Sequence, residues 1–413
     1  MKQTDLEKKI RAYALKNALT HNGKAMQGSV ISGLFAEGLK KQDIGKHAKQ
    51  VSKIVSEINR LSIENQQKEF ESLKKLVSER EIREGLPELP DVPKSGVVMR
   101  SAPSASGALH VLHAINASLS YDFVKKYGGK MIVRIEDTNP ENIDPLAYKL
   151  ITSDAKWLFN GEAEIYIQSD RMNLYYEYAE KLIKKDAAYV CTCSSEKFKY
   201  YVLEMKNCPC RNNTKKENLT RWKKMLSKSS GGYKEGEVVL RFKSSMNNPN
   251  PAMRDFPLAR INEVKHPRVG NKYKVWPLMN LAVSVDDIEM KMTHIIRGKD
   301  HRDNAKRQEM IFKVLKKKFP WNGFLGRYHF KDMELSTTQF REGIESGKYS
   351  GWDDPQLPTV ASLRKRGYKP EAFWKMAEHI GLSEVDKIMD KKEFFRILDG
   401  FNKEIENKKQ ITF

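Results

Sequence analysis

All four cysteines of the chain fall within twenty residues, as Cys191-Thr-Cys193, fourteen intervening residues, then Cys208-Pro-Cys210. Two such tight pairs can supply the tetrahedral sulfur set of a structural zinc, and four protein ligands leave no open position for catalysis. A chain with this feature is expected to carry a stapled subdomain around residues 191–210. The spacing is C-x-C rather than the commoner C-x2-C, and the alternative is a set of reduced, unliganded thiols. Disulfides are disfavoured because the N-terminus, MKQTDLEKKIRAYALKNA, shows no apolar run with a cleavage site, which makes the cytoplasm the expected compartment.

The stapled piece accounts for little of the chain. At 413 residues, two to four domains are expected at roughly 150 residues each. With 39% hydrophobic and 31% charged residues, the composition excludes a disordered tail, and no run approaches the ~20 apolar residues of a spanning helix, so no membrane partner is expected. The balance of 74 basic against 53 acidic residues gives +21, which suits a polyanion, most simply nucleic acid; a solvated lysine surface is the plainer alternative.

Apolar residues from Leu6 to about Leu76 recur at helical spacing, most clearly Ile44, Ala48, Val51, Ile54, Val55, Ile58 and Leu61, so a helical domain is expected over 1–90. Gly23, Gly28 and Gly33 are expected to break up its earlier part, and LPELPDVP (86–93) to form an extended connector. Beyond it, GVVMR reads as a strand, SAPSASGALH as a loop and 114–126 as a helix; MIVRIED repeats the strand signal after Gly128-Gly129. Strand, loop, helix, strand favours a parallel sheet with crossover helices. The lysine-rich stretch 211–235, followed by VVLRF, reads as an inserted subdomain.

Two histidines one turn apart in RSAPSASGALHVLHA sit where a helix start would meet an anion. Together with RIEDTNPEN, QSDRMNLYYEYAEKLI, YVCTC, NPAMRDFPLARI, HPRVGNKYKVWPLMNLA, THIIRGKDHRDN and LSTTQFREGIESGKYSGWDDPQLPTVASLRKRG, this segment resembles archaeal-type glutamyl-tRNA synthetase, a class I aminoacyl-tRNA synthetase, over most of 96–402. The helices before residue 90 look like that family's N-terminal extension.

The resemblance implies an α/β fold. A Rossmann-type catalytic domain (91–186 and 283–330) would be split by a zinc-containing acceptor-binding subdomain (187–282) and followed by a signature loop and helical stem-contact region (331–413). It implies that glutamate is activated by ATP and magnesium and transferred to tRNA, chemistry that rests on alignment and phosphate-charge stabilisation. His110 and His113 stand in the first ATP signature as catalytic and ATP-binding residues. Leu112 replaces its glycine and is expected to fill space meant for adenine. The second signature reads Glu334-Leu335-Ser336-Thr337-Thr338-Gln339, with Ser336 and Thr338 as ATP-binding residues and both flanking lysines replaced. Lys299, Lys331 or Arg341 are the alternative cations.

For the amino acid, Arg100, Ser104 and Glu136 match residues that hold the carboxylate and amino group, and Arg297 matches the arginine that recognises the side-chain carboxylate. Read by itself, Arg297 is equally an ion-pair partner. Met279 replaces a tyrosine and Val283 a polar residue, while Ser101 and Ala105 also depart from the pattern. Arg364, Lys365 and Arg366 are expected to contact RNA phosphates, with a solvated helix face as the alternative. After Asn402 only KEIENKKQITF follows, so the family's anticodon-binding barrels are expected to be missing. Three readings stay open: a truncated ligase; a paralogue without ATP chemistry that binds RNA, or a protein through its N-terminal helices; and a transferase that uses a preformed activated substrate.

Overall fold

The computed structural model describes residues 3–39, 43–77 and 85–411. It divides into two compact units, residues 1–84 and 85–413.

The first unit is helical: α1 (Gln3–Thr20), α2 (Gln27–Ala36), α3 (Ile44–Ile58) and α4 (Ile63–Leu73). The periodic residues Val51, Ile54, Val55 and Ile58 form the buried stripe of α3, as the three-and-four spacing requires. Gly28 and Gly33 do not interrupt the helices as expected; both lie inside α2. The reason at Gly33 is contact, since a Cβ there would come within 2.3 Å of the Tyr13 ring on α1. Ser62 caps α4 by accepting the Asn65 N–H, and buried Gln66 donates to the carbonyls of Gly23 and Ile58, each at 2.9 Å.

In the second unit, β1 (Val97–Ser101), β2 (Gly129–Ile135) and β3 (Glu164–Ile167) are parallel, with β2 in the middle. Helices α5 (Val111–Tyr127) and α6 (Ala147–Leu158) are the crossovers. The connector 86–93 has no regular structure but is stitched down: Leu89 donates its N–H to the Tyr127 hydroxyl, and the Pro90 carbonyl accepts from His294 Nε2.

After α7 (Met172–Lys184) come β4 (Ala188–Cys191), α8 (Ser195–Leu203), α9 (Lys215–Leu226), β5 (Val239–Phe242), β6 (Pro257–Ile261) and β7 (Val275–Pro277). The four strands form one antiparallel sheet in chain order. A capping box between Thr214 and Glu217 starts α9 inside the lysine-rich stretch. The core under this sheet, built on Trp222, Leu240, Leu258 and Trp276, continues into α7, α10 (Met279–Glu289) and α11 (Arg302–Val314), so packing runs unbroken across residues 187 and 282.

Strands β8 (His294–Gly298) and β9 (Trp321–Leu325) form a second parallel pair, which the hydrogen bonds Thr293 N–H to Val98 O and Val98 N–H to Thr293 Oγ1 lay beside β1. The chain thus builds outward from β1 in both directions. Such a reversal leaves a crevice beyond the carboxyl ends of the strands. Short β10 (Tyr328–Phe330) pairs with β11 (Lys387–Met389), a pairing that no sequence pattern announced. Helices α12 (Thr337–Glu345), α13 (Val360–Lys365), α14 (Pro370–Ile380) and α15 (Lys391–Ile411) complete the unit. Val360, Leu363, Phe373, Phe394 and Leu398 from the last three pack into the core around α5. Thr412 and Phe413, which end the KEIENKKQITF segment, lie outside the described residues.

Candidate functional site

The crevice at the ends of β1, β2 and β8 holds a cavity of about 260 Å³, and Arg100, Ser104, His113, Glu136, Met279 and Arg297 all line it. Local pairing sets them there. Past the end of β1, Ala105 donates its N–H to the Glu136 carbonyl and Glu136 donates to Pro103, so Ser104 and Glu136 sit side by side. The neighbouring Asp137 is fixed by three donors: Ser169 N–H and the Tyr148 hydroxyl reach its carboxylate, and His266 Nε2 reaches its carbonyl.

Beneath the cavity lies a charged cluster that the motif reading did not anticipate. Asp286 and Asp287, on α10, are buried. Asp287 accepts a fork from Arg100 (Nε to Oδ1 2.7 Å, Nη2 to Oδ2 3.1 Å) and a third bond from Arg134 Nη1 at 2.7 Å. Arg134 also donates to Glu136 at 2.9 Å, while Asp286 accepts from Arg171, Gln168 and the Tyr175 hydroxyl. Burial alone would raise the Asp287 carboxyl; Arg100 and Arg134 outweigh it and hold it down at about 2. Burial opposes the charge on Arg134, yet Asp287, Glu136 and Asp286 keep its pKa above the ordinary value.

Arg297 has no such support. Its Nη1 donates to Gln308 Oε1 at 2.8 Å, while Nε and Nη2 are buried and meet no acceptor among the described residues. Desolvation, then repulsion from Arg100, pushes its pKa down to about 9. Both donors lie at the cavity wall, within reach of an acceptor that enters it. Arg100, Arg134, Arg171 and Arg297 against Glu136, Asp286 and Asp287 leave one positive charge, located at the unpaired fork.

The two histidines meet but differ in place. His110 caps α5, its Nδ1 accepting the His113 N–H at 3.4 Å, and the rings stack with centroids 3.5 Å apart. Desolvation, then the neighbouring ring, lowers His110 well below the ordinary imidazole value; desolvation pushes His113 down to about 4, although its side chain is exposed toward the cleft. Both shifts favour the neutral imidazole. Leu112, expected beside adenine, is half-buried against the main core. The loop is held by Val111 N–H to Pro358 O and Val360 N–H to Leu109 O, and Gly107 lets Trp352 and Thr337 approach, since a Cβ there would lie 2.3 and 2.5 Å from them.

The second signature stands apart from the arginine cavity. Ser336 accepts the Gln339 N–H as the cap of α12, and Thr338 is exposed. Glu334 and Gln339 line a different cleft with Lys348, Tyr349 and Lys391. Of the alternative cations, Lys299 is engaged with Asp386 at 2.6 Å.

Arg364 donates to Ser153 and Lys365 pairs with Asp353 at 2.9 Å, whereas exposed Arg366 lies over the Tyr368 ring. The sulfurs of Cys191, Cys193, Cys208 and Cys210 all lie within 4.8 Å of one another, with close pairs at 3.3, 3.6 and 3.9 Å. Four thiolates at about 2.3 Å from a tetrahedral zinc would stand about 3.8 Å apart, so the set fits that ion.

Asp286, Asp287, Arg134 and Gln308 escaped the motif reading. The one available signal was an arginine inside the apolar strand MIVRIED, since a buried guanidinium demands carboxylates near it.

Residues 96–400 match the family described as tRNA synthetases class I (E and Q), catalytic domain. The glutamate–tRNA ligase of Methanosphaera stadtmanae is 42% identical over 405 residues, covering 97% of this chain and 70% of that protein. The ligase of Methanocaldococcus jannaschii is 43% identical over 386 residues, covering 92% and 68%. A crystal structure of a glutamate tRNA ligase from Elizabethkingia meningosepticum in complex with its amino acid aligns at 24% identity and a TM-score of 0.46, over 68% of this chain and 60% of that one. The chain thus spans about 70% of these archaeal relatives' length and about 60% of that solved chain.

Proposed function

Because the chain belongs to the class I tRNA synthetase family for glutamate and glutamine, we propose that it binds glutamate, activates it with ATP and transfers it to tRNA. The observation that carries this reading is Arg297, a guanidinium with two open donors at the one uncompensated charge of the cavity. Glutamate carries one net negative charge, which matches. Its side-chain carboxylate takes the Arg297 fork, its main-chain carboxylate lies toward Arg100 and Ser104, and its ammonium faces Glu136. Glutamine would leave the Arg297 charge buried without a counter-charge, which is the basis of discrimination.

In activation the main-chain carboxylate attacks the α-phosphorus of ATP and pyrophosphate leaves. His110 and His113, neutral and stacked at the start of α5, offer N–H donors to phosphate oxygens without bringing charge of their own. Magnesium, when bound, neutralises phosphate charge. Ser336 and Thr338 in this reading contact ATP from the start of α12, where the neighbouring Thr337 packs against Gly107 of the histidine loop. The four cysteines hold a structural zinc that fixes the 187–282 region against the acceptor end of the tRNA, and exposed Arg366, with Arg364 and Lys365 beside it, lies along the stem. The N-terminal helices serve as a contact for another protein, and the setting is the cytoplasm.

Glu334 and Gln339 favour a second reading, in which ATP chemistry is lost and glutamate and RNA binding persist, because two cations are missing where a triphosphate needs them. Exchange of pyrophosphate into ATP, measured with glutamate and with or without bulk tRNA on zinc-loaded protein, separates the two. Glutamate-dependent exchange supports the ligase; tRNA and glutamate binding without exchange supports the second reading.

A further inference from the structure

We infer that Asp287 is a positioning residue for amino-acid recognition, holding the Arg100 guanidinium so that its remaining face presents to the ligand's main-chain carboxylate. This rests on the glutamate reading above and adds a residue that no signature motif contains. The cavity brings Arg100 of β1 and Arg297 of β8 into one crevice, with Arg134 of β2 buried beneath them, and like charges so gathered repel; the depression of Arg297, caused first by burial and then by Arg100, accords with that repulsion. One carboxylate resolves it. Asp287, buried on α10, accepts Nε and Nη2 of Arg100 together, which leaves the Nη1 end for the cavity, and its Oδ1 also takes Arg134 Nη1. A guanidinium gripped through two of its three nitrogens cannot rotate about its last bonds, so a ligand meets it already oriented. Arg134 in turn holds Glu136, so the same acid steadies the groups expected at both ends of the ligand's backbone. Asp286 makes its hydrogen bonds to Arg171, Gln168 and Tyr175, tying α10 to the α7 region, and reaches Arg134 only as a longer ion pair at 3.6 Å, while Arg100 is gripped by Asp287 alone.

The test is calorimetric titration of L-glutamate and L-glutamine into the full chain, in the parent and in Asp287→Asn, Arg100→Lys and the double variant. Asn keeps the shape of Asp and removes its charge; Lys keeps the charge of Arg and loses the fork. Each single variant is expected to weaken both amino acids about tenfold or more while leaving the glutamate-to-glutamine ratio and the binding stoichiometry unchanged, and the double variant to be little weaker than either single one. An unchanged dissociation constant in Asp287→Asn, or a loss confined to the fraction of protein able to bind, overturns the inference. Should Asp287→Asn fail to fold, Arg100→Lys decides alone, and parental affinity in it is the overturning result. If the parent itself binds no glutamate, the reading of the cavity falls and this inference with it, an outcome distinct from a parent that binds and variants that match it.

Discussion

The arginine cavity and the segment 334–339 are both where the family resemblance places substrate contacts, yet they are built in opposite ways. At the cavity the charged groups are tied down from below: Arg100 on β1, Arg134 on β2 and Arg171 before α7 all close on two acids of α10, and Arg134 also holds Glu136. In 334–339 the side chains are exposed or half-exposed, Ser336 is spent on a helix cap, and Glu334 and Gln339 face another cleft. The difference bears on the charged positions of the two regions. Exchanging a lysine for exposed Glu334, or for exposed Gln339 in the first turn of α12, disturbs no packing. Losing one member of the buried cluster would strand its partners as uncompensated charges.

That contrast is open to direct attack. Arg134→Met removes the cation shared by Asp287 and Glu136 and leaves buried carboxylates exposed to each other; a stability loss of about 3–5 kcal/mol is expected, read as a lower thermal midpoint of the full chain. Arg297→Ala should behave differently, since its fork is unpaired: no loss of stability, but a roughly 10- to 100-fold loss of glutamate affinity with little change for glutamine. Restoring the cations of the 334–339 segment with Glu334→Lys and Gln339→Lys together should tighten ATP binding about tenfold or more and leave glutamate binding and stability unmoved, by equilibrium binding. If ATP affinity stays put, the segment's charge is not what limits that site.

The smallest expected effect concerns a buried acid outside both regions. Asp154, on α6, is pushed up to about 7 by burial, against the opposing charge of Arg364. A carboxyl raised in the folded state favours folding while protonated, and stability declines as pH rises from the unfolded value toward 7. Asp154→Asn, which mimics the protonated form, should therefore raise the thermal midpoint by a few degrees at pH 8 and change little at pH 4. A constant difference at both pH values would show that the carboxyl does not titrate this way.

What the sequence reveals follows from which residues carry local patterns. The stripe Val51, Ile54, Val55, Ile58 announces α3 because period and burial coincide, and the four cysteines announce their cluster because two C-x-C pairs are the pattern of a shared four-sulfur site. Gly33 misleads because glycine marks breaks and close helix contacts alike, and only the Tyr13 ring tells which. Asp286-Asp287 hides for a related reason: two acids in VSVDDIE look like a solvated face, and their burial depends on arginines contributed 115 to 187 residues away. Met279 and Val283 are legible as departures and do line the cavity, as does Arg297, which the sequence leaves undecided between ligand and ion-pair partner. The two orphaned donors favour the ligand.

The most direct measurement is therefore the ratio of glutamate to glutamine affinity in the parent and in Arg297→Ala, by calorimetry on zinc-loaded full chain. The account predicts that the parent prefers glutamate by at least about tenfold and that the preference vanishes in the variant while both fold alike. Equal affinity for the two amino acids in the parent, or a preference that survives the loss of Arg297, would contradict it.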